Sequence, residues 1–125
     1  GHDTKMLDKE NKEKNLKLYL PLPGKAGHVV SKEFAEWFEK IRYKLNPMMK
    51  FKSMENGFDA GDQGPFWEGG VPALALGPNW EEDFNYNLYH RPADRIEAIN
   101  WRTLSSAWKT LHGVFSAYAL KLDPK

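Results

Sequence analysis

The chain reads as a small α/β layer structure, and three observations carry that reading. Leu16 to Leu20 alternate in polarity and stop at Pro21, as a strand does. Phe34, Trp37, Phe38, Ile41 and Leu45 then recur at the spacing of one helix face. Val71 to Leu76 form an unbroken apolar run, the pattern of a buried strand. The resulting order, strand–helix–strand–strand–helix, predicts a partial three-layer sheet-and-helix unit with about three strands and two main helices.

Each element follows from its residues. Residues 1–15 mix Lys5, Lys9, Lys12 and Lys14 with Asp3, Asp8, Glu10 and Glu13, and read as a solvated polar segment. Residues 16–125 carry the folded portion. Pro23-Gly24 marks a turn after the first strand. Ser31 is placed to cap the first helix, with Glu33 in its first turn, and Asn46-Pro47 stops it. Met48 to Met54 alternate around Phe51 and predict a second strand. Glu55 to Gly64, rich in Gly and Asp, reads as a functional loop, and Pro65 to Gly70 as a short helical turn. Gly77 to Arg95 is long and irregular, the kind of loop a compact domain keeps for function. Asn100 is placed to cap the last helix. Its apolar stripe is Trp101, Leu104, Trp108, Leu111, Phe115, Tyr118 and Leu122, expected to pack on the sheet, and Pro124 lies beyond its end.

Composition narrows the function classes. A chain of 125 residues suffices for one domain with a core. A formal net charge of +1 provides no field for nucleic acid or an anionic membrane. No apolar run approaches the roughly 20 residues of a membrane-spanning helix. The polar, lysine-rich start shows no signal peptide. Without cysteine there is no disulfide, thiolate zinc site or cysteine nucleophile. The sequence contains no phosphate-binding loop, dinucleotide fingerprint or Gly-x-Ser-x-Gly elbow.

Three motifs carry chemistry: Asp62-Gln63-Gly64-Pro65-Phe66, Val71-Pro72-Ala73-Leu74 and Tyr89-His90-Arg91-Pro92-Ala93-Asp94. In this order and spacing the chain resembles, from about Leu16 to Leu122, the C-terminal part of a zinc-dependent exopeptidase. That family includes bacterial leucyl aminopeptidases, glutamate carboxypeptidases and glutaminyl cyclases. Its usual pattern here is Ser-Asp-His-x-Pro-Phe, a Gly-(Ile/Val)-Pro-Ala strand, then Tyr-His-(Thr)-Pro-x-Asp and a final helix.

The resemblance implies roles for particular residues. His90 matches a zinc ligand, and neutral imidazole suits that metal. Tyr89 matches a tyrosine that, in some members, donates to the oxyanion of the tetrahedral intermediate; the alternative is an aromatic packed in the loop. Asp62 would orient a ligand from behind or simply shape a turn, and Asp94 would support His90 or cap a turn. Phe66 would line the substrate pocket or belong to the core. Gly61 and Gln63 stand where the family has serine and histidine. His2, His28 and His112 match nothing, and Glu81-Glu82-Asp83 reads as solvated loop.

The family's remaining ligands have no counterpart in this sequence, and no His-x-x-x-His cluster replaces them. The resemblance therefore implies the C-terminal portion of a zinc-dependent aminopeptidase-like hydrolase, acting on a peptide or amino-acid derivative, with a glutamate outside this chain as general base. The isolated chain is expected to be inactive and not to bind zinc tightly. The resemblance slightly favours an extracytoplasmic compartment. The rival reading is a non-catalytic peptidase-like binding domain, towards which Gly61 and Gln63 point.

Overall fold

A computed structural model of the chain describes residues 16–48, 51–77, 89–98 and 101–121. The segment 1–15, most of the loop after Gly77, and Asn100, Leu122 and Pro124 lie outside the described residues. The elements are β1 (Leu16–Tyr19), α1 (His28–Leu45), β2 (Phe51–Met54), α2 (Gln63–Glu68), β3 (Ala75–Gly77), a 3-10 turn (Ile96–Ala98) and α3 (Trp101–Ala119). This is a mixed α/β unit with one three-stranded sheet and two main helices, as expected.

The sheet order is β2-β1-β3. β1 and β2 run parallel, pairing Leu16 with Phe51 and Tyr19 with Met54. Parallel neighbours cannot be joined by a hairpin, and α1 is the crossover between them. β3 runs antiparallel to β1, with Leu76 opposite Leu18. The central strand is buried at every position. Leu16, Leu18 and Leu20 project to one face because side chains alternate along a strand. There they meet Ala35, Phe38 and Ile41 of α1 and Val114 and Ala117 of α3 in one core cluster. Phe38 and Phe51 close the cluster edge to face, with ring centroids 5.6 Å apart. Tyr19, which projects to the other face, packs against the Phe58 ring at 5.9 Å.

α1 begins earlier than expected. Gly27 precedes it with φ 80°, a left-handed conformation that glycine adopts without penalty, and its carbonyl accepts from the Ser31 N–H. Ser31 is therefore not the cap; it lies one turn inside and is fully buried. The C-terminus stops at Asn46-Pro47 as expected. Arg42 is buried there, pairs with Glu39 at 2.6 Å, and donates to the carbonyls of Asn46 and Pro47. A cation satisfying the last carbonyls complements the negative end of the helix.

The strand over 71–76 is corrected to β3 alone. Val71 and Pro72 are exposed, and residues 71–74 are irregular. Pro72 has no N–H for a ladder. Neighbouring groups are engaged elsewhere: Val71 N–H donates to the Phe66 carbonyl, Ala73 N–H to Ser31 Oγ, and the Ala73 carbonyl accepts from Trp67 Nε1.

The stripe of α3 is also corrected. Trp101, Leu104, Trp108, Phe115 and Tyr118 are exposed, whereas Thr103, Thr110, Val114 and Ala117 are buried. Small side chains on that face let α3 lie close to α1. A Cβ on Gly113 would stand 2.7 Å from Leu45 Cδ1, and Asn46 Nδ2 donates to Thr110 Oγ1 at 3.3 Å.

Substitutions on the two kinds of face should separate cleanly in denaturant unfolding. Leu18→Ala, in the central strand, should cost about 2–5 kcal/mol. Phe115→Gln, on the outward stripe, should change stability by no more than about 0.5 kcal/mol. Equal losses would mean that the stripe, not the threonine–alanine face, is buried.

Candidate functional site

The loop between β2 and α2 is ordered by its own short-range bonds. Asn56 Oδ1 accepts from the Phe58 N–H at 3.1 Å, an Asx turn, and Gln63 Nε2 donates to the Phe58 carbonyl at 2.8 Å. Asp62 precedes α2 and makes no side-chain capping bond there. The six-residue helix then divides its two aromatics. Trp67 is buried and tied by Nε1 to the Ala73 carbonyl at 2.9 Å, while Phe66 remains more than half exposed.

This division produces a groove. Asp62, Gln63, Phe66, Val71, Pro72, Ala73 and Leu74 line a cavity of about 370 Å³ between α2 and the irregular segment before β3. Two of the motifs singled out in the sequence thus form one surface. Phe66 is in that groove and not in the core.

Tyr89 and His90 do not line this groove. They open a turn in which Asp94 N–H donates to the Arg91 carbonyl and Arg95 Nε to the Pro92 carbonyl. His90 has φ 53°, a left-handed conformation uncommon outside glycine. Its ring stacks on that of Tyr89, with centroids 3.8 Å apart and planes inclined by 20°. Both side chains are exposed. Asp94 is exposed in the same turn.

A second polar cluster was not visible in the sequence. His28 Nε2 donates to Glu55 Oε2 at 2.8 Å, and Lys32 Nζ lies 3.5 Å from Glu55 Oε1. The cluster pins the start of α1 to the end of β2. The i, i+4 placement of His28 and Lys32 was readable, but their shared partner lies 27 residues from His28 in the chain. The hydrogen bond from His28, aided by the Lys32 charge, holds the Glu55 carboxyl below its ordinary value of 4.5, against an upward push from desolvation. His112 is exposed and stacks on Trp108, with centroids 5.1 Å apart.

The model of peptidase family M28 matches residues 5–114, which takes in β1, β2 and β3 and reaches well into α3. The chain belongs to peptidase family M28. Comparison with curated proteins and with solved structures returned no match. M28 peptidases are generally zinc-dependent. The described residues do not by themselves fit that metal: no three His, Cys, Asp or Glu side chains come together among them. A zinc centre needs three or four protein ligands. Among the described residues, no helix is long and apolar enough to cross a membrane.

Two outcomes test the framework of the site. Ser31→Ala leaves the half-buried Ala73 N–H without its acceptor, so the protein should lose about 0.5–1.5 kcal/mol of stability. Amide exchange at Ala73 should accelerate more than at Leu18. The second concerns pH. Glu55 has a depressed folded value, so its contribution is complete above pH 4.5 and is lost as pH falls through the lower folded value. The melting temperature of the wild type should therefore exceed that of Glu55→Gln at pH 6, and the two should converge below pH 4.5. An undiminished gap at lower pH would contradict the assignment.

Proposed function

We propose that the chain is the C-terminal portion of a zinc-dependent aminopeptidase-like hydrolase and that Tyr89 and His90 are its contribution to the active centre. The observation that carries the reading is the family match over residues 5–114, which spans the Tyr89–His90 turn. The left-handed backbone at His90 adds support, because such conformations concentrate where function demands them. His90 would hold the metal together with ligands from protein outside the described residues. The Tyr89 hydroxyl would donate to the oxyanion that develops on a scissile carbonyl. Asp62 and Asp94 would orient neighbouring groups, and Phe66 would line the groove that receives a peptide or amino-acid derivative. Under this reading the isolated chain has no peptidase activity and does not bind zinc tightly.

A second reading has one specific observation in its favour. Gln63 stands where the family pattern has histidine, and its amide is engaged with the Phe58 carbonyl inside the loop. A peptidase-like domain that binds without catalysis would accommodate this change.

Variants in a protein that carries the remaining ligands decide between them. His90→Ala should lower zinc content and remove most activity. Tyr89→Phe should keep its zinc and lose kcat by about 10²–10³-fold, with KM little changed, because a transition-state donor acts on kcat. Full zinc occupancy with normal activity in His90→Ala would take His90 out of the centre. Zinc-dependent release of an N-terminal residue by the isolated chain would overturn the partial-site reading.

A further inference from the structure

A second cavity, of about 310 Å³, lies where the chain leaves β1 and β2. The two parallel strands end there at their carboxyl ends, the position at which open α/β sheets receive ligands. Its lining shares no residue with the groove of Asp62 and Phe66.

Close backbone approaches hold its walls. A Cβ on Gly27 would stand 2.8 Å from the Trp67 backbone, and one on Gly57 would stand 2.9 Å from Leu22 Cγ. A Cβ on Gly64 would meet the Asp59 carbonyl oxygen more closely still. Gly57 has φ 68°, and its N–H donates to the Leu20 carbonyl at 3.0 Å. The loop after β1, the loop after β2 and α2 are thus fastened to one another around the opening, which is therefore pre-formed.

The chemistry of the lining is amphoteric. Leu22 and the buried Trp67 supply apolar surface, Lys25 supplies one cation, and Asp59 and Glu68 supply two anions. All three charged residues are exposed, and among the described residues none of them forms an ion pair. Three uncommitted charges around a pre-formed opening complement a ligand with one anionic and two cationic groups joined by a short aliphatic stem.

We propose that this crevice binds a free diamino monocarboxylate, that is, a basic amino acid. Lys25 faces its carboxylate, Asp59 and Glu68 face its two ammonium groups, and the stem lies on Leu22 and Trp67. The site is separate from the peptidase reading and stands or falls without it.

The test is a titration of the isotope-labelled chain followed by amide chemical shifts. The probes are L-lysine, 1,5-diaminopentane, which lacks the carboxylate, and L-leucine, which lacks the second cation. L-lysine should shift the amides of Lys25, Ala26 and Gly57 saturably, with Kd of about 1 mM. Each solvent-exposed ion pair strengthens binding by up to about fivefold, so L-leucine and 1,5-diaminopentane should bind correspondingly more weakly. Lys25→Met should reduce L-lysine affinity to that of 1,5-diaminopentane and leave the latter unchanged. Asp59→Asn and Glu68→Gln should each weaken L-lysine while sparing L-leucine in at least one of the two. These side chains are exposed, and unchanged shifts in β1 and α1 verify the fold of each variant. Absence of saturable shifts at Lys25 and Gly57, equal affinity for all three probes, or shifts confined to residues 62–74 would overturn the proposal.

Discussion

The fold is organised around the double pairing of β1. Its four residues are buried on both faces, and its two edges are taken by β2 and β3. One edge requires a parallel partner, and that forces the long crossover that α1 supplies. The other requires an antiparallel partner, which brings the end of the 71–77 segment back beside Leu18. Leu16, Leu18 and Leu20 then collect α1 and α3 onto one face. A shift of one residue in β1 would exchange these leucines with Lys17 and Tyr19 and invert both faces at once.

The candidate groove depends on that arrangement through two polar side chains at the edge of the core. Ser31 Oγ and Trp67 Nε1 hold the two backbone groups of Ala73, so the segment before β3 is fixed without belonging to the sheet. Its other wall, α2, can lie this near α1 because Gly27 has no side chain to strike Trp67. Rigid framework and irregular loop are joined here by a few directional bonds, a common way of presenting functional residues. The His28–Glu55–Lys32 cluster makes the equivalent connection between α1 and β2.

The outward stripe of α3 shows how a strong sequence signal can point the wrong way. Seven large apolar residues at regular spacing outweigh two threonines, a valine and an alanine on any scale of residue hydrophobicity. Five of the seven, Trp101, Leu104, Trp108, Phe115 and Tyr118, are nevertheless exposed and Leu111 packs against the core, while the smaller face is buried because α3 rests directly on α1. Close helix contact favours small residues at the crossing, as the Gly113–Leu45 approach shows. Periodicity identifies a helix and its faces; it does not say which face meets which neighbour. The same limit applies to His90. Its motif was legible by resemblance, and the family match supports the family, but its left-handed backbone and its stacking on Tyr89 could not be read from residue order.

The sequence by itself determined β1, the core of α1 and its stop at Asn46-Pro47, the α/β class and the family motifs. These are local properties: alternation, helical spacing, a proline that cannot continue a helix, and short residue strings. Tertiary structure alone decided that Ser31 is a buried acceptor and not a cap, that Pro72 precedes the third strand, and that His28 reaches Glu55. Each of these joins positions far apart in the chain through one hydrogen bond or one close backbone contact. Such pairings leave no periodic trace in the sequence, since their partners are chosen by the packing of the elements between them.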